Sequence, residues 1–145
     1  MADLDFADLS PTSKWRVFSA GEDMRPGTSR GSGEHLMWSV SPGESTVLGD
    51  RPGGESVNLT HVRALFRLTG RRAAELINRV CALDLGEGMF PNGAAARTLF
   101  AGVVTELVRD DHEDVPSYLI LPSRSYSTYI REVIFDAGTG LGLSS

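Results

Sequence analysis

The hydrophobic period changes within residues 62–80, and that change restricts the fold more than any other feature of the chain. Val62, Ala64, Phe66 and Leu68 alternate with Arg63, Leu65, Arg67 and Thr69, the period-2 pattern of a half-buried strand. Gly70 ends the run. From Arg71 to Cys81 the apolar residues Ala73, Leu76, Ile77 and Val80 instead fall on one helical stripe. A strand followed at once by such a helix packs the stripe back onto the sheet.

The same reading extends to the C-terminus. After the loop LDLGEGMFPNG, strands are predicted over Ala95 to Ala101 and Val103 to Asp110, with Gly102 at or near their junction. DDHEDVP is a polar turn before a third strand, Ser117 to Leu121. Pro122 and Ser123 open a last helix carrying Tyr126, Tyr129, Ile130, Val133 and Ile134 on one stripe, with Ser123 or Ser125 as its cap. The order strand, helix, three strands, helix implies an α+β fold: a two-layer arrangement of an antiparallel or mixed sheet with helices on one face. Residues 57–137 form this domain, and 138–145 read as a flexible tail.

Residues 1–56 read as an extended leader and linker with one or two short strands, HLMWSV (35–40) and Ser45 to Leu48. Gly, Ser, Pro and charge dominate GEDMRPGTSRGSGE, a composition that buries too little apolar surface to offset the entropy of ordering. Two readings of the leader stand together. It is a disordered tail, or its large apolar groups Trp15, Phe18, Met37 and Trp38 dock onto another chain.

Composition excludes several functions. A net charge of −5 without a basic run argues against nucleic acid. No apolar stretch approaches a membrane span, and the acidic first ten residues do not suit a secretory signal, so a cytoplasmic protein is expected. Cys81, the single cysteine, lies in an apolar helical pattern and fits a buried thiol. His35, His61 and His112 are far apart, with no ligand spacing for a metal; His35 and His112 belong to polar loops, and His61 is a candidate for binding. No serine stands in a nucleophile elbow, and GEGMFPNG follows a helix where a phosphate loop follows a strand. Asp110, Asp111, Glu113 and Asp114 form a solvated turn that lacks the glycine and distal glutamate of a calcium loop.

Of the fourteen basic residues, Lys14 is the one lysine. Arg63 and Arg67 share a strand face, which Arg97 and Arg109 would join if the meander pairs beside it. Such a row suits carboxylate recognition, although arginine used in place of lysine throughout a proteome would look the same.

The segments ALFRLTGRRAAELINRVCALDL, FPNG with AARTLFAGVVTELVR, and YLILPSRSYSTYIREVI carry a resemblance. The region from Val57 to about Ala137 resembles the folate-binding domain of aminomethyltransferases. Within that superfamily it is most similar to the gamma subunit of heterotetrameric sarcosine oxidase. Catalytic members, such as the glycine cleavage T-protein, bind tetrahydrofolate and use an acidic pair in a segment like G-I-V-D-D-L. The matching positions here are Gly102, Val103, Val104, Thr105, Glu106 and Leu107. Thr105 replaces the first acid, and Glu106 should point to the opposite face of the strand.

The resemblance therefore implies a non-catalytic accessory subunit of a sarcosine oxidase-like complex that oxidises an N-methylated amine. This chain alone would bind no cofactor; FAD, FMN, NAD and tetrahydrofolate are expected on larger partner subunits. The alternative is a small folate-binding one-carbon transfer protein with His61, Arg97, Thr105 and Glu106 as folate candidates. A free-standing interaction domain is a third option.

Overall fold

The computed structural model describes residues 4–18, 24–31, 35–86 and 88–143. In chain order the elements are β1 (Asp5–Asp8), β2 (Lys14–Phe18), β3 (Thr28–Arg30), β4 (Met37–Ser41), β5 (Glu44–Leu48), β6 (Ser56–Asn58), β7 (Phe66–Thr69), α1 (Ala73–Asn78), β8 (Ala95–Phe100), β9 (Val103–Arg109), β10 (Ser117–Pro122) and α2 (Ser127–Ala137). A 3₁₀ turn, Arg124–Tyr126, leads into α2. None of the helices among the described residues is long and apolar enough to cross a membrane.

The α+β fold is as expected, with two antiparallel five-stranded sheets. The first has the order β1-β7-β10-β9-β8 and the second β3-β4-β5-β2-β6. Helices cover one face of the first sheet, where Phe66, Leu68, Leu107 and Ile120 pack with Leu76, Ile77, Ile130 and Ile134. On the opposite face Val108, Leu119 and Leu121 meet Leu36, Trp38 and Leu48. β9 and β10 are therefore covered on both sides, which explains their nearly continuous burial.

The second sheet corrects the reading of residues 1–56. Among its described residues, the stretch expected to be an extended leader contains five strands and the first residue of a sixth, β6, and one of them, β1, pairs with β7 in the first sheet. These strands are short, three to five residues each. They are ordered by pairing and by the face of the first sheet beneath them, so local composition underestimated them.

Smaller differences have local causes. Val62 and Arg63 precede β7 in a turn closed by Val62 N–H on the Leu59 carbonyl, and Val62 is exposed. No serine side chain caps the last helix: the Ser123 hydroxyl bonds Ser125, and Tyr126 occupies the N-cap position of α2. In α2, Ile130 and Ile134 are buried, whereas Tyr126 and Tyr129 are about half exposed. Within residues 138–143, Leu141 is buried in the core and Leu143 packs against it. The β8–β9 hairpin turns on Ala101 and Gly102, both at positive φ (51° and 83°), as a two-residue turn between twisted strands requires.

Candidate functional site

Glu106 lies in the middle of β9 on the face turned toward the second sheet, and it is buried. A carboxylate in such a position needs partners that replace water. Trp38 Nε1 on β4 donates to Glu106 Oε1 at 2.8 Å, and Arg16 Nη2 on β2 donates to Oε2 at 2.7 Å. The Thr46 hydroxyl on β5 lies 3.5 Å from Oε1. Arg97 stands cross-strand from Glu106 on β8 with Nη2 at 3.7 Å, and Glu44 takes Arg16 Nη1 at 3.4 Å. One carboxylate thus joins both sheets.

The folate candidates separate across the first sheet. Thr105 is buried on the helix side, and its hydroxyl donates to the Val103 carbonyl of its own strand at 3.1 Å. Glu106 faces the other way, as strand alternation requires. Arg97 shares the Glu106 face, while His61 is exposed in the turn ahead of β7. A tetrahydrofolate amine needs an accessible carboxylate. Glu106 is instead buried beneath two donors, and Thr105 has no charge to offer. The residues present do not fit that group.

Two of the candidate docking residues are also bound within the chain. Trp38 is fully buried, so it offers no surface to a partner. Trp15 is half-buried: its Nε1 donates to the Gly49 carbonyl at 2.9 Å, and Arg51 lies over its ring. Met37 is partly covered and Phe18 remains exposed.

The arginine row is divided. Arg67 pairs with Asp110 at 2.9 Å and donates to the Ser117 hydroxyl at 2.7 Å, tying β7 to the end of β9 and the start of β10. Arg109 does not join it. Its side chain lies on the helix side, over the Tyr118 ring, and forks onto Asp111 at 2.9 and 3.1 Å. Asp110 and Asp111 of the acidic turn therefore serve as partners for arginine, and no group of His, Cys and acidic residues among the described residues could hold a metal. Cys81 is buried, with Sγ 3.6 Å from the Thr98 hydroxyl.

Sequence reasoning missed Arg16 and Lys14. Lys14 is fully buried, and its ammonium donates to the carbonyls of Ser10 at 2.6 Å, Thr12 at 2.8 Å and Thr60 at 3.3 Å. Burial, with Arg124 adding to it and Asp8 opposing, lowers its pKa to about 8. The usual pattern is inverted in β2, where charged Lys14 and Arg16 point inward and Trp15 and Val17 are half-covered on the outer face.

No known protein-family model matches the chain, and no curated protein matches it. Solved structures do. A chain of heterotetrameric sarcosine oxidase from Corynebacterium sp. U-96, determined in complex with pyrrole 2-carboxylate, superposes with a TM-score of 0.83 at 16% identity, covering 98% of this chain and 87% of that one. This chain has the sarcosine oxidase-subunit and aminomethyltransferase fold. Glycine cleavage system aminomethyltransferase T from Bartonella henselae superposes with a TM-score of 0.70 at 12% identity over 92% of this chain. The match spans 46% of that protein's length. The superposition thus takes in described strands ahead of Val57 as well as the region whose sequence carries the resemblance.

Proposed function

We propose that this chain is a non-catalytic accessory subunit, equivalent to a gamma subunit, of a heteromeric sarcosine oxidase-like flavoenzyme that oxidises an N-methylated amine. The observation that carries the reading is the near end-to-end agreement with a chain of a heterotetrameric sarcosine oxidase, 98% of one and 87% of the other. The binding state of Glu106 supports it. The position that matches an acid of the catalytic aminomethyltransferases is engaged by Arg16 and Trp38, where it cross-links two sheets.

In this reading FAD, FMN, NAD and tetrahydrofolate belong to larger partner chains, and this subunit contributes a folded surface to the assembly. The experiment is purification of the tagged protein from its native host, with the masses of associated chains and the visible spectrum recorded. The expected result is a yellow complex with larger chains, bleached by an N-methylated amine such as sarcosine. A colourless, solitary protein would overturn the proposal.

A further inference from the structure

Val62, Leu99, Val104, Tyr126 and Tyr129 are all between 46% and 57% exposed, a large apolar display for one small molecule. They are scattered in sequence but meet at one end of the first sheet. Leu99 and Val104 are cross-strand partners next to the hairpin turn. The Tyr129 hydroxyl donates to the Ala101 carbonyl of that turn at 3.0 Å, and Arg124 N–H donates to the Val62 carbonyl at 2.8 Å. A cavity of about 330 Å³ lined by Arg63, Gly102, Val103, Val104, Ser123 and Tyr126 joins the parts.

The patch also continues toward the second sheet. Val57, 50% exposed, is cross-strand from Arg16, whose guanidinium reaches Glu106, and Phe18, 44% exposed, lies two residues beyond Arg16. Val104 in turn lies two residues from Glu106 on the same face of β9.

The charge at this end is positive although the chain carries −5 overall. Arg63 forms no ion pair among the described residues. Arg97 has a 3.7 Å approach to Glu106, whose oxygens already accept shorter bonds from Arg16 and Trp38. Both guanidinium groups can therefore take a carboxylate from outside.

We propose that the end of the β8–β9 hairpin, with Val62 and the two tyrosines, is the surface that docks a second, different protein chain presenting an apolar ridge flanked by Asp or Glu. The proposal rests on the accessory-subunit reading and assigns it a surface. Exposed apolar side chains supply the buried centre of such an interface, and Arg63 and Arg97 its charged rim.

The test uses full-length tagged protein in the native host, comparing wild type with Leu99→Asp/Val104→Asp, Arg63→Glu/Arg97→Glu and Met89→Asp. Met89 is 69% exposed, beside Phe90, whose carbonyl accepts from Arg109 at the far end of β9. Each variant is first shown by thermal unfolding to be folded. Recovery of the larger flavin-containing chains should fall at least about tenfold for both hairpin-end variants and stay unchanged for Met89→Asp. Full recovery with folded hairpin-end variants would overturn the assignment and leave the accessory-subunit reading standing. A wild type that brings no flavin-containing chain would overturn both. Dissolution of a homodimer of the isolated chain by Leu99→Asp/Val104→Asp would show that a second copy occupies the patch and would likewise overturn the proposal.

Discussion

Trp38 and Glu106 are 68 positions apart and are joined by a buried hydrogen bond of 2.8 Å between the two sheets. On the other carboxylate oxygen Arg16 completes the link at 2.7 Å. Removing one member leaves the others buried without their partner. Glu106→Gln leaves Arg16 without its main counter-charge and should cost about 3–5 kcal/mol. Trp38→Phe removes the donor together with part of the buried ring system, and should cost at least about 1–3 kcal/mol, the penalty of an acceptor left short of its partner. Urea denaturation measures both. A loss below about 1 kcal/mol for Glu106→Gln would contradict a structural role for this carboxylate.

Arg16→Met combined with Glu106→Leu removes the charge pair as a unit. Because the penalty of the single variants is mostly an uncompensated buried charge, the double variant should lose less than the sum of Arg16→Met and Glu106→Leu, by roughly 1–3 kcal/mol. Additive losses would show that the two side chains act independently.

Lys14 gives a pH dependence with a definite sign. Its pKa in the folded protein, about 8, lies below the ordinary 10.5. Between those values the unfolded chain holds more protons than the folded one, so this group makes stability rise with pH across that window. Relative to Lys14→Met, the wild type should gain stability from pH 8 to pH 10.5, by urea midpoints. A difference between the two proteins that stays constant with pH would count against the shift. At neutral pH Lys14→Met leaves three carbonyls short of a donor and should itself cost about 1–3 kcal/mol.

Deletion of residues 1–34 separates the observed fold from a leader that is merely attached. The deletion removes β1, β2 and β3, and with them Lys14 and Arg16. The expected result is loss of the cooperative thermal transition. A truncated protein that melts at the wild-type temperature would return these residues to the status of a dispensable tail.

The hairpin turn makes a smaller prediction. At Gly102 an added Cβ meets nothing within 4 Å, so the cost of Gly102→Ala comes from backbone conformation at φ 83°, roughly 1 kcal/mol. A shift of several degrees in the melting temperature would register it; a neutral change would mean that the turn readily adopts another geometry.

The C-terminal part of this architecture was legible because its elements follow strong local rules. Phe66 and Leu68 alternate, Ala73, Leu76 and Ile77 recur at helical spacing, and Gly102 punctuates a hairpin. The second sheet follows weaker ones. In β2 the inward residues are Lys14 and Arg16, so a hydrophobic pattern places the strand the wrong way round or misses it. The aromatic residues ahead of Val57 did carry information, since a tryptophan N–H that becomes buried needs an acceptor. Nothing in the sequence showed that for Trp38 the acceptor was Glu106. Conversely, the alternation of Thr105 and Glu106 to opposite faces followed from strand geometry alone.

Whether Glu106 holds two sheets together or receives a folate amine is decided most directly by calorimetry of tetrahydrofolate against the purified, isolated chain. With Arg16 and Trp38 on the carboxylate, no saturable heat should appear. Saturable binding that disappears in a folded Glu106→Gln variant would contradict the claim that this chain supports chemistry performed on another subunit.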